Sequence, residues 1–147
     1  MGLIEDLVPG PVALDTAVFI YFIEENKIFL PIVKPIFEAI HRGDLAAATS
    51  GLTLMEVLVV PYRVNNFSLA ERYESLLTRS RGLHFVDLTR PLLRAAARLR
   101  GAFKLKPRDA LQIAAAMAAE CRVFLTNDRR LPPMAGLQVV QLNTYLK

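Results

Sequence analysis

The sequence is poor in the residues that build disulfide scaffolds, zinc sites and nucleophilic triads: its 147 residues include one cysteine, two histidines and no tryptophan. Cys121 cannot form a disulfide within the chain, which fits a reducing compartment, and its apolar neighbours indicate a small buried hydrophobe. His41 and His84 lie too far apart for the ligand spacing of a zinc finger. The sequence therefore excludes a disulfide-rich domain and a zinc finger. With so few histidines and cysteines, it also offers little support for a catalytic Ser-His or Cys-His nucleophile pair.

Long apolar runs and glycine-rich loops are also missing. The longest segment without a charged residue is 131–146, and its prolines and amides exclude a spanning helix, which needs about 20 nearly continuous apolar residues. The seven glycines are scattered, and no G-x-x-x-x-G-K phosphate loop occurs. Glu5 and Asp6 precede any basic residue, unlike in a signal peptide. With 53% hydrophobic and 22% charged residues, we expect residues 1–147 to form one cytoplasmic globular domain without membrane association.

Charge is distributed unevenly along the chain. Residues 1–78 contain five Lys and Arg against ten Asp and Glu, whereas residues 79–147 contain thirteen against four, a net charge of +9. Thirteen of the eighteen basic residues are arginines, whose guanidinium groups bind phosphates in a bidentate manner. Two explanations stay open: the basic half binds a polyanion such as a nucleic acid, or it forms a solvated surface that keeps the protein soluble.

Short apolar segments alternate with segments of helical periodicity from residue 12 onwards. The predicted strands are 12–14, 45–49, 83–88, 122–125 and 137–142. The predicted helices are 17–23, 31–42, 53–60, 68–78, 91–100 and 107–120. We expect Pro61 to end the third helix, Ser68 to open the fourth through a Ser-x-x-Glu capping box, and Thr89 to cap the fifth. This alternation predicts an α/β fold of three layers around a central parallel sheet of about five strands.

Four acidic residues follow or flank the predicted strands. Asp15 follows the first strand, Glu56 lies in the helix after the second, Asp128 follows the fourth, and Asp109 lies in the first turn of the helix before the fourth. Because ligands of parallel sheets bind beyond the carboxyl ends of the strands, we expect all four carboxylates at one edge. Each also has a structural explanation. Asp15 could cap the following helix, and Glu56 could complete a capping box opened by Thr53. Asp109 suits the first turn of a helix, and Asp128 suits a turn.

A cluster of four carboxylates indicates a bound cation, because like charges at close range repel unless a cation lies between them. Oxygen ligands without His or Cys select Mg²⁺ or Mn²⁺. Such an ion lowers the pKa of a bound water and stabilises the charge that develops in an in-line phosphoryl displacement. An acidic site in a basic protein is typical of a metal-dependent nuclease.

Two other phosphoryl-transfer folds do not fit the sequence. A receiver domain requires paired acidic residues after its first strand and a lysine after its fifth, but Thr16 follows Asp15 and no lysine follows the last predicted strand before Lys147. A haloacid-dehalogenase-like phosphatase requires Asp-x-Asp after the first strand, and Ala17 occupies the second of these positions. Both alternatives are therefore rejected.

Four motifs stand in order along the chain: Leu14-Asp15-Thr16, Ser50-x-x-Thr53-x-x-Glu56-Val57-Leu58, Asp109-Ala110-Leu111-Gln112-Ile113-Ala114 and Leu125-Thr126-Asn127-Asp128. Together they resemble the PIN domain, and most closely the VapC-like toxins of bacterial and archaeal toxin–antitoxin pairs. The resemblance extends from about residue 12 to residue 145. It departs from the family in the eleven residues before the first strand, since family members often begin almost at that strand.

The resemblance implies an endoribonuclease with an acidic pocket that holds one or two Mg²⁺ or Mn²⁺ ions. Asp15, Glu56, Asp109 and Asp128 match the four acidic positions of the family and are the predicted catalytic and metal-binding residues. Asp15 and Asp109 are expected to make the most direct metal contacts.

The resemblance assigns supporting roles to the neighbours of the acids. Ser50 and Thr126 match hydroxyl-bearing residues that orient carboxylates or waters, and Asn127 is expected to have a role in a turn. Three arginines beside the motifs are either exposed residues or phosphate contacts: Arg108, Arg129 and Arg130.

The resemblance also implies partners: an RNA substrate, a second copy of the chain in a homodimer, and a cognate antitoxin whose tail covers the acidic pocket. One apolar cluster is a candidate dimer face or antitoxin groove, although core packing explains it equally well: Ile28, Phe29, Leu30, Ile32 and Val33. Two alternatives to an endoribonuclease stay open. They are a catalytically silent RNA- or partner-binding module of the same fold, and a nuclease that cleaves DNA.

Overall fold

The computed structural model describes residues 2–132, 134 and 136–146. Within these residues, five strands form one parallel sheet in the order β3-β2-β1-β4-β5, with β1 in the middle. The strands are β1 (Val12–Leu14), β2 (Ala47–Ser50), β3 (Leu83–Val86), β4 (Val123–Thr126) and β5 (Gln138–Gln141). The predicted α/β class and the five-stranded parallel sheet are confirmed.

The seven α-helices of the described chain cover both faces of this sheet. They are α1 (Leu3–Leu7), α2 (Thr16–Ile23), α3 (Leu30–Arg42), α4 (Gly51–Arg63), α5 (Phe67–Arg79), α6 (Arg90–Ala102) and α7 (Pro107–Ala118), and a 3₁₀ turn covers Leu142–Tyr145. Successive side chains of a strand point to opposite faces. Val12 and Leu14 therefore pack into one core with α2, α3 and α5, whereas Ala13 packs into a second core with α6 and α7. This arrangement is the predicted set of three layers.

Helix α7 lies close against β1 and β2, where small residues form much of the contact. Ala13 of β1 and Ala48 of β2 share a core with Ala110 and Ala114 of α7, and Cα atoms of α7 and β2 come within 8 Å of each other. Pro107 occupies the first turn of α7, where its missing N–H and fixed φ favour the start of a helix. The first turn of α7 is thereby held at the carboxyl edge of the sheet.

Two predicted capping boxes are wrong. Helix α4 begins at Gly51, so Thr53 lies inside the helix and caps nothing. Helix α5 begins directly after Asn66, whose side chain accepts the backbone N–H three residues further on at 3.1 Å, and Ser68 lies inside the helix. Asn is as good an N-cap as Ser, so the earlier residue takes this position. In both helices the start lies one or two residues before the predicted one.

Pro61 does not end α4, contrary to the prediction. It lies in the last turn of the helix, which continues to Arg63. A proline lacks its own N–H, but the residues after it can still donate, and the Val64 N–H bonds the Val60 carbonyl at 3.1 Å. The predicted cap of α6 is confirmed, because the Thr89 hydroxyl accepts from the backbone of the first turn at 3.3 Å.

The remaining differences concern short segments. Helix α1 has no counterpart among the predicted elements, because five residues are too few to show helical periodicity. Cys121 is buried, as predicted. In the apolar cluster between residues 28 and 33, Phe29 and Val33 are part of the core whereas Ile28 is exposed, so core packing explains most of this cluster. None of the helices that the structure describes has both the length and the apolar character to cross a bilayer.

Candidate functional site

Asp15 lies at the middle of the carboxyl edge, because it follows the central strand and precedes α2. Its backbone N–H donates to the Leu125 carbonyl of β4 at 3.0 Å, and its Oδ1 caps α2 by accepting from the Thr16 N–H at 2.8 Å. The helix-cap explanation is thus correct, but it covers only part of the contacts. Oδ2 accepts from the hydroxyl of Thr126 at 2.7 Å. This buried carboxylate is therefore oriented through both of its oxygens.

Glu56 reaches the same place from α4. Its Oε1 accepts from the hydroxyl of Thr16 at 2.5 Å, and each of its oxygens accepts from Arg108 at 2.8 Å. Because Thr16 directly follows Asp15, these contacts bring the carboxylates of β1 and α4 into one cluster.

Asp109 and Arg108 extend this cluster from the first turn of α7. Asp109 is buried, and its Oδ1 accepts from Nη1 of Arg108 at 2.9 Å. Nη2 of the same guanidinium donates to Asp15 at 2.9 Å and to Glu56 at 2.8 Å. One arginine thus joins three of the four predicted carboxylates. The sequence predicts that Arg108 is either exposed or a phosphate contact. It does not predict the contacts of Arg108 with the acids.

Asp128 lies beside this cluster, in the turn after β4. Its carboxylate pairs with Arg130, which donates through Nε at 3.0 Å and through Nη2 at 3.2 Å. The backbone N–H of Asp128 donates to the Thr126 hydroxyl at 3.0 Å, and that hydroxyl donates to Asp15. The structure therefore brings three of the acids together and links the fourth to them through Thr126.

Gln112, one turn beyond Asp109 on α7, is a buried residue that sequence reasoning missed. Its Nε2 donates to the Thr53 hydroxyl at 2.9 Å and to Asp15 Oδ1 at 3.2 Å, and its Oε1 accepts from the hydroxyl of Ser50. Ser50 thus contacts the acids through Gln112 and not directly. The spacing Asp109-x-x-Gln112 places both side chains on one helix face, and this spacing is the signal that could have indicated Gln112.

The pKa of Glu56 results from opposing effects. Burial raises it, but the hydrogen bonds from Arg108 and Thr16 and the charge of the guanidinium outweigh burial, so the pKa lies below its ordinary value of 4.5. The hydrogen bond to Glu56 raises the pKa of Arg108 above its ordinary range, although burial opposes this. The hydrogen bonds from Arg130 lower the pKa of Asp128. At neutral pH these groups are therefore all charged.

The Glu56→Gln variant should lose stability in a pH-dependent manner. Because the pKa of Glu56 is lower in the folded protein than in the unfolded chain, its carboxylate stabilises the fold fully above about pH 4.5. That contribution disappears as the pH falls through the pKa of the folded state. Urea denaturation should show a larger difference in unfolding free energy between wild type and variant at about pH 6 than at about pH 3. A difference that is constant or grows towards acid pH would contradict the lowered pKa.

An open cleft of about 640 Å³ leads to Asp15, Glu56 and Asp128. Asn127 follows β4, lines this cleft and donates its amide to the Tyr21 hydroxyl at 3.2 Å. A larger cavity of about 920 Å³ between α3 and α5 has Glu38 as its one acidic lining residue and contains none of the predicted site residues. The charged residues that line the smaller cleft are Asp15, Glu56, Asp128, Arg108, Arg129 and Arg130.

The donor chemistry of the site fits a hard divalent cation, since the candidate ligands are carboxylate oxygens without His or Cys. In the part of the chain that the structure describes, no three Asp, Glu, His or Cys side chains are already arranged around a common point as metal ligands. The positive charge that lies between Asp15, Glu56 and Asp109 in the structure is the guanidinium of Arg108.

Known proteins share this architecture. A family model of the PIN domain matches residues 12–137. The fold is similar to that of a chain in a toxin–antitoxin complex from Klebsiella pneumoniae, with a TM-score of 0.65 and 21% identity over 89% of this chain and 97% of that chain. It is also similar to a chain of the DNA-bound VapBC from Salmonella typhimurium, with a TM-score of 0.62 and 19% identity over 90% and 98% of the two chains.

A third similar structure is FitAB bound to a DNA fragment, with a TM-score of 0.64 and 19% identity over 89% of this chain and 94% of that chain. No curated protein matches the chain in sequence. The family match covers the sheet from β1 to the residue before β5, together with the four acids at its carboxyl edge. The chain therefore belongs to the PIN domain family.

Proposed function

We propose that the protein is a Mg²⁺- or Mn²⁺-dependent endoribonuclease that acts as the toxin of a VapBC-type toxin–antitoxin pair. PIN domains are in general nucleases. The observation that carries the proposal is the convergence of Asp15, Glu56 and Asp109 from three different elements, with Asp128 in the same cleft. Structural roles alone do not require carboxylates from distant segments to meet at one point, because each could serve as a cap or turn residue separately.

The chain's own residues supply ligands, orientation and charge. One or two divalent ions, when bound, lower the pKa of a water and stabilise the charge of an in-line displacement. Asp15, Glu56, Asp109 and Asp128 would hold them, and Thr126 fixes the direction of the Asp15 carboxylate. Arginines that line the cleft would attract and position the phosphodiester of the substrate: Arg129 and Arg130.

A cleavage assay tests this proposal. The protein, purified without antitoxin, should cleave total cellular RNA in Mg²⁺ or Mn²⁺, and excess chelator should stop the cleavage. The products should carry a 3′-hydroxyl and a 5′-phosphate, and single-stranded DNA of matched sequence should stay intact. Cleavage that persists in chelator would contradict a metal-dependent site, and cleavage of the DNA would favour the DNA nuclease.

Two protein partners form part of the proposal: an antitoxin that covers the cleft and a second copy of this chain. The antitoxin is supported by the toxin–antitoxin complexes that share the fold. The second copy is supported by an exposed apolar face on α4. Met55, Val59 and Tyr62 are exposed there at helical spacing, which is typical of a protein interface. Light scattering should give twice the 16.4 kDa mass of one chain, and the mass of one chain would contradict the homodimer.

A silent binding module is the second candidate, and one observation favours it. Arg108 forms ion pairs with three of the acids without a metal, so the cluster could serve to bind a partner instead of catalysing a reaction. Calorimetric titration of Mn²⁺ distinguishes the two candidates. The enzyme should bind Mn²⁺ and lose this binding in Asp15→Asn and Asp109→Asn, whereas a folded wild type that binds none would favour the module.

A further inference from the structure

Arg108 uses all three nitrogens of its guanidinium on carboxylates of the site. Nε and Nη2 donate to the two oxygens of Glu56 at 2.8 Å, which is a bidentate pair. Nη2 also donates to Asp15 Oδ1 and Nη1 to Asp109 Oδ1, both at 2.9 Å. Among the described residues, no other basic side chain forms an ion pair with these three acids.

These contacts engage four of the six oxygens that the three carboxylates offer to a divalent ion, including both oxygens of Glu56. An ion binds carboxylate oxygens directly at roughly 2.0–2.2 Å, and a guanidinium at hydrogen-bond distance from the same oxygens would lie next to it. Two cations at such a distance repel each other strongly in a partly buried site. The guanidinium of Arg108 and a divalent ion therefore exclude each other between Glu56 and Asp109.

Arg108 has room to leave this position. Its side chain is 34% exposed, against 6% for Asp15 and 12% for Asp109, and it lines the open cleft. A long, flexible side chain in the first turn of α7 can rotate towards the cleft without movement of the helix. Arginine stays protonated in proteins, so the group leaves as a cation, and a guanidinium in the cleft is a bidentate ligand for phosphate.

We propose that Arg108 is a displaceable internal cation of this site: it competes with the divalent ion for Asp15, Glu56 and Asp109, and after displacement it binds a phosphate of the substrate strand. The inference rests on the proposed function and adds a link between metal binding and substrate binding through one side chain. Arg108 weakens metal affinity, because the ion must first break the charge-assisted hydrogen bonds. A phosphate ligand offers Arg108 a new partner and thereby strengthens metal binding, and the coupling is reciprocal.

Calorimetric titration of Mn²⁺ tests the competition. The Arg108→Gln variant should bind Mn²⁺ about tenfold or more tightly than wild type, since no charge-assisted hydrogen bonds have to be broken. Arg108→Lys should have an intermediate affinity, because an ammonium is a single point charge and cannot form the bidentate pair. Arg94→Gln removes the same charge from the exposed surface of α6 and should leave the affinity unchanged. If the glutamine variant does not fold, the lysine variant carries the comparison.

The position of Arg108 can be followed by nitrogen-15 NMR of its side chain. Its Nε–H signal, identified by its absence in Arg108→Gln, should exchange slowly with water in the protein alone and fast at saturation with Mg²⁺. An unchanged signal at saturation, or Mn²⁺ binding by Arg108→Gln that is no tighter than that of wild type, would overturn the competition but not the nuclease. A wild type and a variant that both fail to bind Mn²⁺ would overturn the metal site and the proposed function together.

Adenosine 5′-monophosphate tests the phosphate contact, because it offers a phosphate but no phosphodiester to cleave. Its presence should tighten Mn²⁺ binding by wild type more than by Arg108→Gln. Equal gains in the two proteins would overturn this part of the proposal, since the nucleotide would then act through the metal alone.

Discussion

The Asp109→Asn protein should cleave RNA at least about a hundredfold more slowly than wild type, because in the proposed site Asp109 helps to hold the ion that stabilises the transition state. The fold should survive this change. Asparagine keeps the volume of the buried side chain and a carbonyl oxygen that can accept from Arg108 Nη1. The lost charge in the first turn of α7 should lower the free energy of unfolding by less than about 1 kcal/mol. Single-turnover cleavage and thermal melting of the same preparation measure both effects.

Asp44→Asn is the matched control for this variant. Asp44 is exposed and pairs with Arg42, and it does not line the cleft. Because an exposed ion pair contributes little to stability, this control should melt and cleave like wild type. Full activity of Asp109→Asn would remove Asp109 from the site. Equal losses in both variants would show that the assay responds to net charge and not to the acid cluster.

Gln112→Leu should lower the free energy of unfolding by about 2–3 kcal/mol, although leucine fills nearly the same volume. The variant leaves the buried Ser50 hydroxyl without its acceptor and removes a donor from both Thr53 and Asp15. For a domain of this length the melting temperature should fall by roughly 5–10 °C. Urea denaturation at neutral pH measures the effect.

The same substitution at an exposed glutamine provides the reference. Gln138 lies exposed on β5, at the edge of the sheet, and Gln138→Leu should change the free energy of unfolding by less than about 0.5 kcal/mol. If Gln112→Leu is as stable as Gln138→Leu, the amide of Gln112 does not support the buried hydroxyls. A loss of Mn²⁺ affinity in Gln112→Leu, restored by Gln112→Asn, would show that the amide also positions Asp15.

The sequence predicted where the acids lie better than it predicted which residues contact them. Asp15 and Asp128 follow strands, and a rule about the carboxyl edges of parallel sheets places such residues correctly. The contacts of Arg108 and Gln112 depend instead on how α7 lies against β1, β2 and α4. That packing follows from small residues in several segments. The spacing Asp109-x-x-Gln112 puts both side chains on one helix face, but it does not identify the residues that they contact.

The errors in the helix boundaries have a different cause. Thr53 and Ser68 have the right spacing to a glutamate for a capping box, but a spacing does not fix which residue leaves the helical conformation first. Asn66 competes successfully for one of these positions. Thr53 uses its hydroxyl in the buried network with Gln112, so a side chain predicted to cap a helix became part of the site's support.

The central position of β1 has a consequence for synthesis of the protein. β1 lies between β2 and β4, so the middle strand lacks one neighbour until residue 126 has been translated. Asp15 likewise waits for the carbonyl of Leu125 and the hydroxyl of Thr126. A growing chain that ends before β4 therefore contains Asp15, Glu56 and Asp109 but lacks the strand that holds Asp15 in the acid cluster. In the proposed nuclease, cleavage of RNA therefore waits until β4 has been translated, and a product truncated before β4 should be inactive.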